Sequence, residues 1–103
     1  MGAEVFSIVG GAMQKSGYPD RYIAIKDNYN GFVEFKEGKN WLTALQLKMC
    51  SRLWERGTMV CVVRFEGRVM CSYTHHGKFL ATGTNPSLFF TFTLCGLINE
   101  RKQ

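Results

Sequence analysis

The stretch VCVVRFEGRVMCSYTHHGKF, residues 60–79, alternates apolar and polar side chains around two glycine-ended tips, and its register decides how the chain packs. With Phe65-Glu66-Gly67 as a three-residue loop and Gly67 left-handed, Arg64 closes against Arg68. Val63 then faces Val69, Cys61 faces Cys71, and Met59 faces Tyr73, while the opposite face carries Arg64, Arg68 and Ser72. A second tip, His75-His76-Gly77, pairs Thr74 with Lys78, Tyr73 with Phe79 and Cys71 with Ala81. Two consecutive hairpins are expected, with Met70 and Leu80 on their outer face.

Upstream, residues 38–57 (GKNWLTALQLKMCSRLWERG) predict the one main helix, over about 40–56, with Asn40 as N-cap and Gly57 just past its end. Leu42, Leu45, Met49 and Leu53 recur at helical spacing. Lys48, Arg52 and Arg56 stand in one row four residues apart, either a solvated face or a binding one. Before the helix, RYIAIKD and GFVEFKE alternate, with Ile23, Ile25, Val33 and Phe35 on one face and a turn at NYNG. VFSIVGGAM, residues 5–13, predicts a strand bent at Gly10 and Gly11, and QKSGYPD a loop. Downstream, LFFTFTL predicts a last strand with Leu88, Phe90, Phe92 and Leu94 on one face and Phe89 on the other. The sum is an α+β single domain over 1–103, an antiparallel sheet of about six to seven strands with one helix across it.

The chain is 103 residues long, 46% hydrophobic and 14% aromatic, which excludes a disordered chain. No apolar run reaches the roughly 18 residues of a membrane span, and the N-terminus lacks a secretory pattern, so a soluble intracellular protein of cytoplasm or nucleus, with no membrane contact, is expected. Net charge is +5, which suits an acidic partner. Cys50, Cys61, Cys71 and Cys95 each have apolar neighbours and read as reduced, buried thiols, although Cys61 and Cys71 would be close enough to join.

Cys61, Cys71, His75 and His76 follow C-x9-C-x3-H-H, which matches no common zinc spacing, so neither metal nor cofactor is expected. The two histidines sit at a solvent tip and the acids are scattered, which argues against an enzyme. The arginines carry more. Arg64 and Arg68, placed opposite one another, repel unless Glu66 or a bound anion lies over them. Between residues 48 and 78 the bases Lys48, Arg52, Arg56, Arg64, Arg68 and Lys78 face only Glu55 and Glu66. Tyr29, Phe32, Phe65 and Trp41 fall at tips or outer faces. Basic groups among outward rings are what single-stranded nucleic acid needs, phosphates meeting charge and bases stacking on rings.

The segment IAIKDNYNGFVEFKEG, ahead of a helix, resembles the strand–turn–strand of the PUR-repeat proteins, with Asn28 and Gly31 in its turn. The resemblance implies single-stranded nucleic-acid binding, though the meander after the helix departs from one such repeat. The first expectation is thus a non-enzymatic module for single-stranded DNA or RNA, using Lys48, Arg52, Arg56, Arg64, Arg68, Lys78, Tyr29 and Phe65. The second is a self-associating, adaptor or inhibitor domain, dimeric through the apolar last strand with Phe89, to which Leu80 on the outer face of the meander adds, or binding an acidic protein.

Overall fold

The first hairpin forms where the alternation puts it. In the computed structural model, which describes residues 3–7, 19 and 21–103, a short strand β1 (Ala3–Ser7) lies antiparallel to β2 (Arg21–Ile25), and β2 pairs with β3 (Asn30–Lys36). The expected bend at Gly10 and Gly11 and most of the following loop lie outside the described residues. The hairpin turn comes early: the Ile25 N–H donates to the Tyr29 carbonyl at 2.8 Å, and Asp27 takes φ 57°. Ile23, Ile25 and Val33 are buried together with Phe35 against them, as the alternation requires.

The helix α1 (Ala44–Glu55) starts later than Asn40, because Thr43 builds a capping box with Gln46: each side chain bonds the other residue's backbone N–H. At its end, Gly57 at φ 91° lets the Gly57 and Thr58 N–H groups reach the carbonyls of Trp54 and Leu53. The chain then returns as β4 (Met59–Glu66), which runs parallel to β3, Gly31 opposite Met59 and Lys36 opposite Arg64. A helix between two neighbouring strands carries the chain back to its starting end, so they run the same way. At Gly31 the backbones come so close that a Cβ would meet the Met59 carbonyl oxygen.

Beyond β4 follow β5 (Val69–Tyr73) and β6 (Phe79–Gly83), both antiparallel to their predecessors, and then helix α2 (Pro86–Arg101). The sheet is therefore mixed, not antiparallel throughout. Its body is the five strands β2 to β6, with β1 along the β2 edge. Among the described residues two helices cover it, not one.

The expected last strand is the second of them. Asn85 caps it through Oδ1 accepting from the Leu88 N–H, Pro86 opens it, and Phe89, Phe90, Thr93 and Leu97 are its buried face. The helices cover opposite faces. Ile23, Val33, Cys61, Val63 and Met70 form one core with Phe89, Phe90 and Leu97 of α2. The alternate residues Phe32 and Val60 form a smaller core with Cys50 of α1, and Tyr22, Leu42 and Leu53 pack around it. Phe32, expected on an outer face, is thus buried under α1.

The register of the first meander tip differs from expectation. Gly67 is left-handed at φ 63°, but the loop has two residues, Gly67 and Arg68, with Glu66 opposite Val69. A glycine at the first central position with a normal second residue gives the tighter turn. Cys71 consequently lies opposite Arg64 and Ser72 opposite Val63. Cys61 and Cys71 face opposite sides of the sheet and cannot join, and all four cysteines are free. Arg64 and Arg68 are not partners either. Met70 turns inward, and Val69 is left exposed.

The second tip keeps its three residues. Thr74 N–H bonds the Lys78 carbonyl at 2.8 Å, Gly77 takes φ 94°, and Tyr73 pairs with Phe79. A bulge then intervenes, so that Ser72, not Cys71, faces Ala81. The extra residue turns Leu80, expected on the outer face, towards α2.

Candidate interaction surface

β6 ends the strand order, and among the described residues no strand pairs along its outer edge. Helix α2 lies beside that edge. Leu80 and Thr82 of β6, Phe92, Cys95 and Ile98 of α2, and its C-cap Lys102 line an open groove of about 600 Å³. Gly96 lets strand and helix close up, since a Cβ there would come 3.0 Å from Leu80 Cδ2. Leu88 and Phe92 each remain 58% exposed and Ile98 40%, so α2 turns apolar side chains outward as well as inward. Among the described residues, Lys102 is the one charged residue on the groove lining.

The residues expected to bind nucleic acid do not gather into one surface. Tyr29 is fully buried: its hydroxyl donates to the Phe32 carbonyl at 2.7 Å, and its ring lies 5.3 Å from Phe90. It cannot stack on a base. Arg64 is spent locally, donating to the Asn40 carbonyl at 2.6 Å with its guanidinium over Trp41. Lys78 pairs with Glu100 of α2. Lys48, Arg52 and Arg56 do remain exposed on α1, and Arg68 and Phe65 are exposed at the β4–β5 tip, where Phe65 stacks on Phe35.

Phe89, expected at an interface, is 1% exposed and packed in the α2 core. Leu80 does line the groove, although from the α2 side. Reading LFFTFTL with period two puts Phe92 on a strand face and separates it from Cys95 and Ile98, which lie beyond that segment. Asn85-Pro86, a cap residue before a first-turn proline, was the signal that could have exposed them.

His75 also departs from expectation. It is buried, not at a solvent tip, while its neighbour His76 is exposed. Burial, and next the adjacent His76, push His75 down to about 4, so it is neutral at pH 7. Burial also pushes the Cys50 and Cys61 thiols up to about 12, with Glu34 adding to Cys50 and a bond from Tyr29 partly offsetting it at Cys61. These thiols are packing groups. Among the described residues no helix is long and apolar enough to cross a membrane, and no group of three histidine, cysteine or acidic residues could hold a metal ion.

No protein-family model matches the chain, and neither a curated protein nor a solved structure does. The likeness of the first hairpin to PUR repeats therefore rests on residues 23–38 alone.

Proposed function

We propose that this chain is a self-associating protein-interaction module whose partner is a second copy of itself, seated along β6 and the outer face of α2. One observation carries the reading: an apolar helix face stands beside a sheet edge that has no strand partner among the described residues. Such an edge is a template for pairing, and an antiparallel pair of identical edges is related by a two-fold axis, the commonest symmetry of homo-oligomers.

The helix fits the same symmetry. Leu88, Phe92, Cys95 and Asn99 follow one another at intervals of four, three and four residues, the spacing of a helix seam. Asn99 is the polar member that would fix register. Leu88, Phe92 and Ile98 together expose roughly 300 Å² of apolar surface, the scale of a functional patch on a small monomer. With only Lys102 charged on the groove, neither a nucleic acid nor a strongly acidic peptide is selected there.

Sedimentation equilibrium tests this. The wild type is expected to dimerise at micromolar concentration, and Phe92→Asp to be monomeric with unchanged secondary structure. A wild type that stays monomeric at about 100 μM, weaker than specific interfaces of standard size, overturns the reading.

The exposed row Lys48, Arg52 and Arg56 favours a second reading, an anionic strand laid across α1. Anisotropy of a labelled single-stranded oligonucleotide separates the two. Binding along α1 weakens steeply with salt and is lost in Arg52→Gln/Arg56→Gln, yet is indifferent to Phe92→Asp.

A further inference from the structure

A second hollow, distinct from the β6 groove, lies where the C-terminal ends of the helices meet. Trp54 of α1, Glu100 of α2, and Thr74, His75, His76 and Lys78 of the β5–β6 loop enclose about 210 Å³. The loop is held from within: the Lys78 N–H donates to Thr74 Oγ1 at 3.0 Å, and the Gly77 N–H to the Thr74 carbonyl at 2.9 Å. That turn directs His75 inward, with its ring 5.9 Å from Trp54 and 4.1 Å from His76. Trp54 is itself clamped. The Arg101 guanidinium lies 3.7 Å from its ring centroid and donates to the carbonyls of Trp54 and Thr58.

Two features of this hollow are unfinished. His75 is only 3% exposed, yet its Nδ1 has no hydrogen-bond partner among the described residues. Buried polar groups are almost always paired, so a nitrogen left unpaired marks a place where a further molecule can complete the bonding. The other feature is the Lys78 ammonium on the lining, whose counter-ion is a carboxylate from the chain's own C-terminal helix, Glu100. Lys78 is largely exposed, so a competing anion can reach it.

We propose that this hollow binds a small monocarboxylate with a flat apolar body. The ligand carboxylate replaces Glu100 on Lys78 and accepts a hydrogen bond from His75, and its body lies against Trp54. Glu100 marks the anion chemistry the hollow accepts. The hollow is smaller than the 300–1,000 Å³ of drug-sized sites, which limits the ligand to a single ring or a short chain. A metal cation is disfavoured, because the only acid on the lining among the described residues, Glu100, is already bonded to Lys78. Neutral His75 carries one N–H to give, and an anion beside it works against both burial and His76, the causes that hold its proton affinity down.

Benzoate is the probe. With only two histidines in the chain, ¹³C-labelled imidazoles report the site directly, His76→Gln assigning the signals. Benzoate is expected to shift the His75 resonance with a Kd on the order of 1 mM, typical of so small a ligand. The His75 titration should move upward on binding. Glu100→Gln, which removes the competing carboxylate, is expected to tighten binding severalfold, and Lys78→Met to abolish it with the fold intact by circular dichroism. The proposal is overturned by a silent His75 in both wild type and Glu100→Gln at about 30 mM benzoate, well above that Kd. Equal binding to Lys78→Met overturns it too, as does inorganic phosphate outcompeting benzoate.

Discussion

Helices α1 and α2 cover opposite faces of one sheet, and they divide their surfaces differently. α1 has one buried residue, Cys50, and presents Lys48, Arg52 and Arg56 to solvent. α2 buries Phe89, Phe90, Thr93 and Leu97, and still shows Leu88, Phe92 and Ile98 on its far side. A helix with a charged back is complete once its front is packed. One that is apolar on both sides has packed only half of what it carries. The difference puts the larger core under α2 and leaves the exposed apolar side chains on α2 as well.

The largest effect expected from this division is at Phe89. Phe89→Ala removes a ring that is 1% exposed and should cost about 3–5 kcal/mol, a large share of the roughly 5–15 kcal/mol that holds a domain this size. Leu53→Ala, on the half-buried front of α1, should cost about 1–2 kcal/mol, because less of the side chain leaves the core. Urea unfolding of both variants compares them. Equal losses would show that the two cores carry equal weight and break the comparison.

A smaller effect sharpens it. The two helices are capped by the same device, Thr43 accepting from the Gln46 N–H at 3.1 Å and Asn85 accepting from the Leu88 N–H at 3.1 Å. Thr43→Ala and Asn85→Ala should therefore each cost about 1 kcal/mol, despite the unequal burial beneath them. Asn28 ties the first turn of α2 to the β2–β3 loop, its Nδ2 donating to the Ser87 carbonyl and to Thr91 Oγ1. If Asn85→Ala costs clearly less than Thr43→Ala, that tether, not the cap, holds the start of α2.

The same contrast explains what could be read in advance. α1 was legible because its polar and apolar residues alternate at helical spacing and Gly57 ends it. The first hairpin was legible because one face of it is apolar. α2 was not, since a segment buried on one side and apolar on the other has no polar face to report its period, and phenylalanine and threonine favour strands. The parallel pairing of β3 and β4 could have been inferred from the helix between them. The meander register could not, because Gly67 satisfies a two-residue and a three-residue loop equally well, and apolar residues lie at alternate positions in either register. Tyr29 was misplaced for a related reason. Its place in the turn suggested solvent, but its ring reaches into the α2 core.

The smallest effect expected concerns the seam where the helices meet, and it follows from the sign of one titration. In the unfolded chain His75 takes up its proton near pH 6.5, whereas in the folded domain it does so only near 4. Between those values the unfolded state binds more protons, so stability rises with pH through the window and levels off above it. From pH 7 down to pH 6 the loss is about 0.7 kcal/mol, and it grows until pH reaches the folded value. The groups facing the imidazole are His76, Lys78 and Glu100, with Arg101 behind Trp54, and Glu100 is already engaged by Lys78. No carboxylate is therefore free on that lining to hold the proton on His75. Urea midpoints measured at pH 7 and pH 6 should differ by this small amount in the wild type and coincide in His75→Phe. An unchanged difference in His75→Phe would place the titrating group elsewhere, and an opposite sign would mean that an acidic partner reaches His75 in solution.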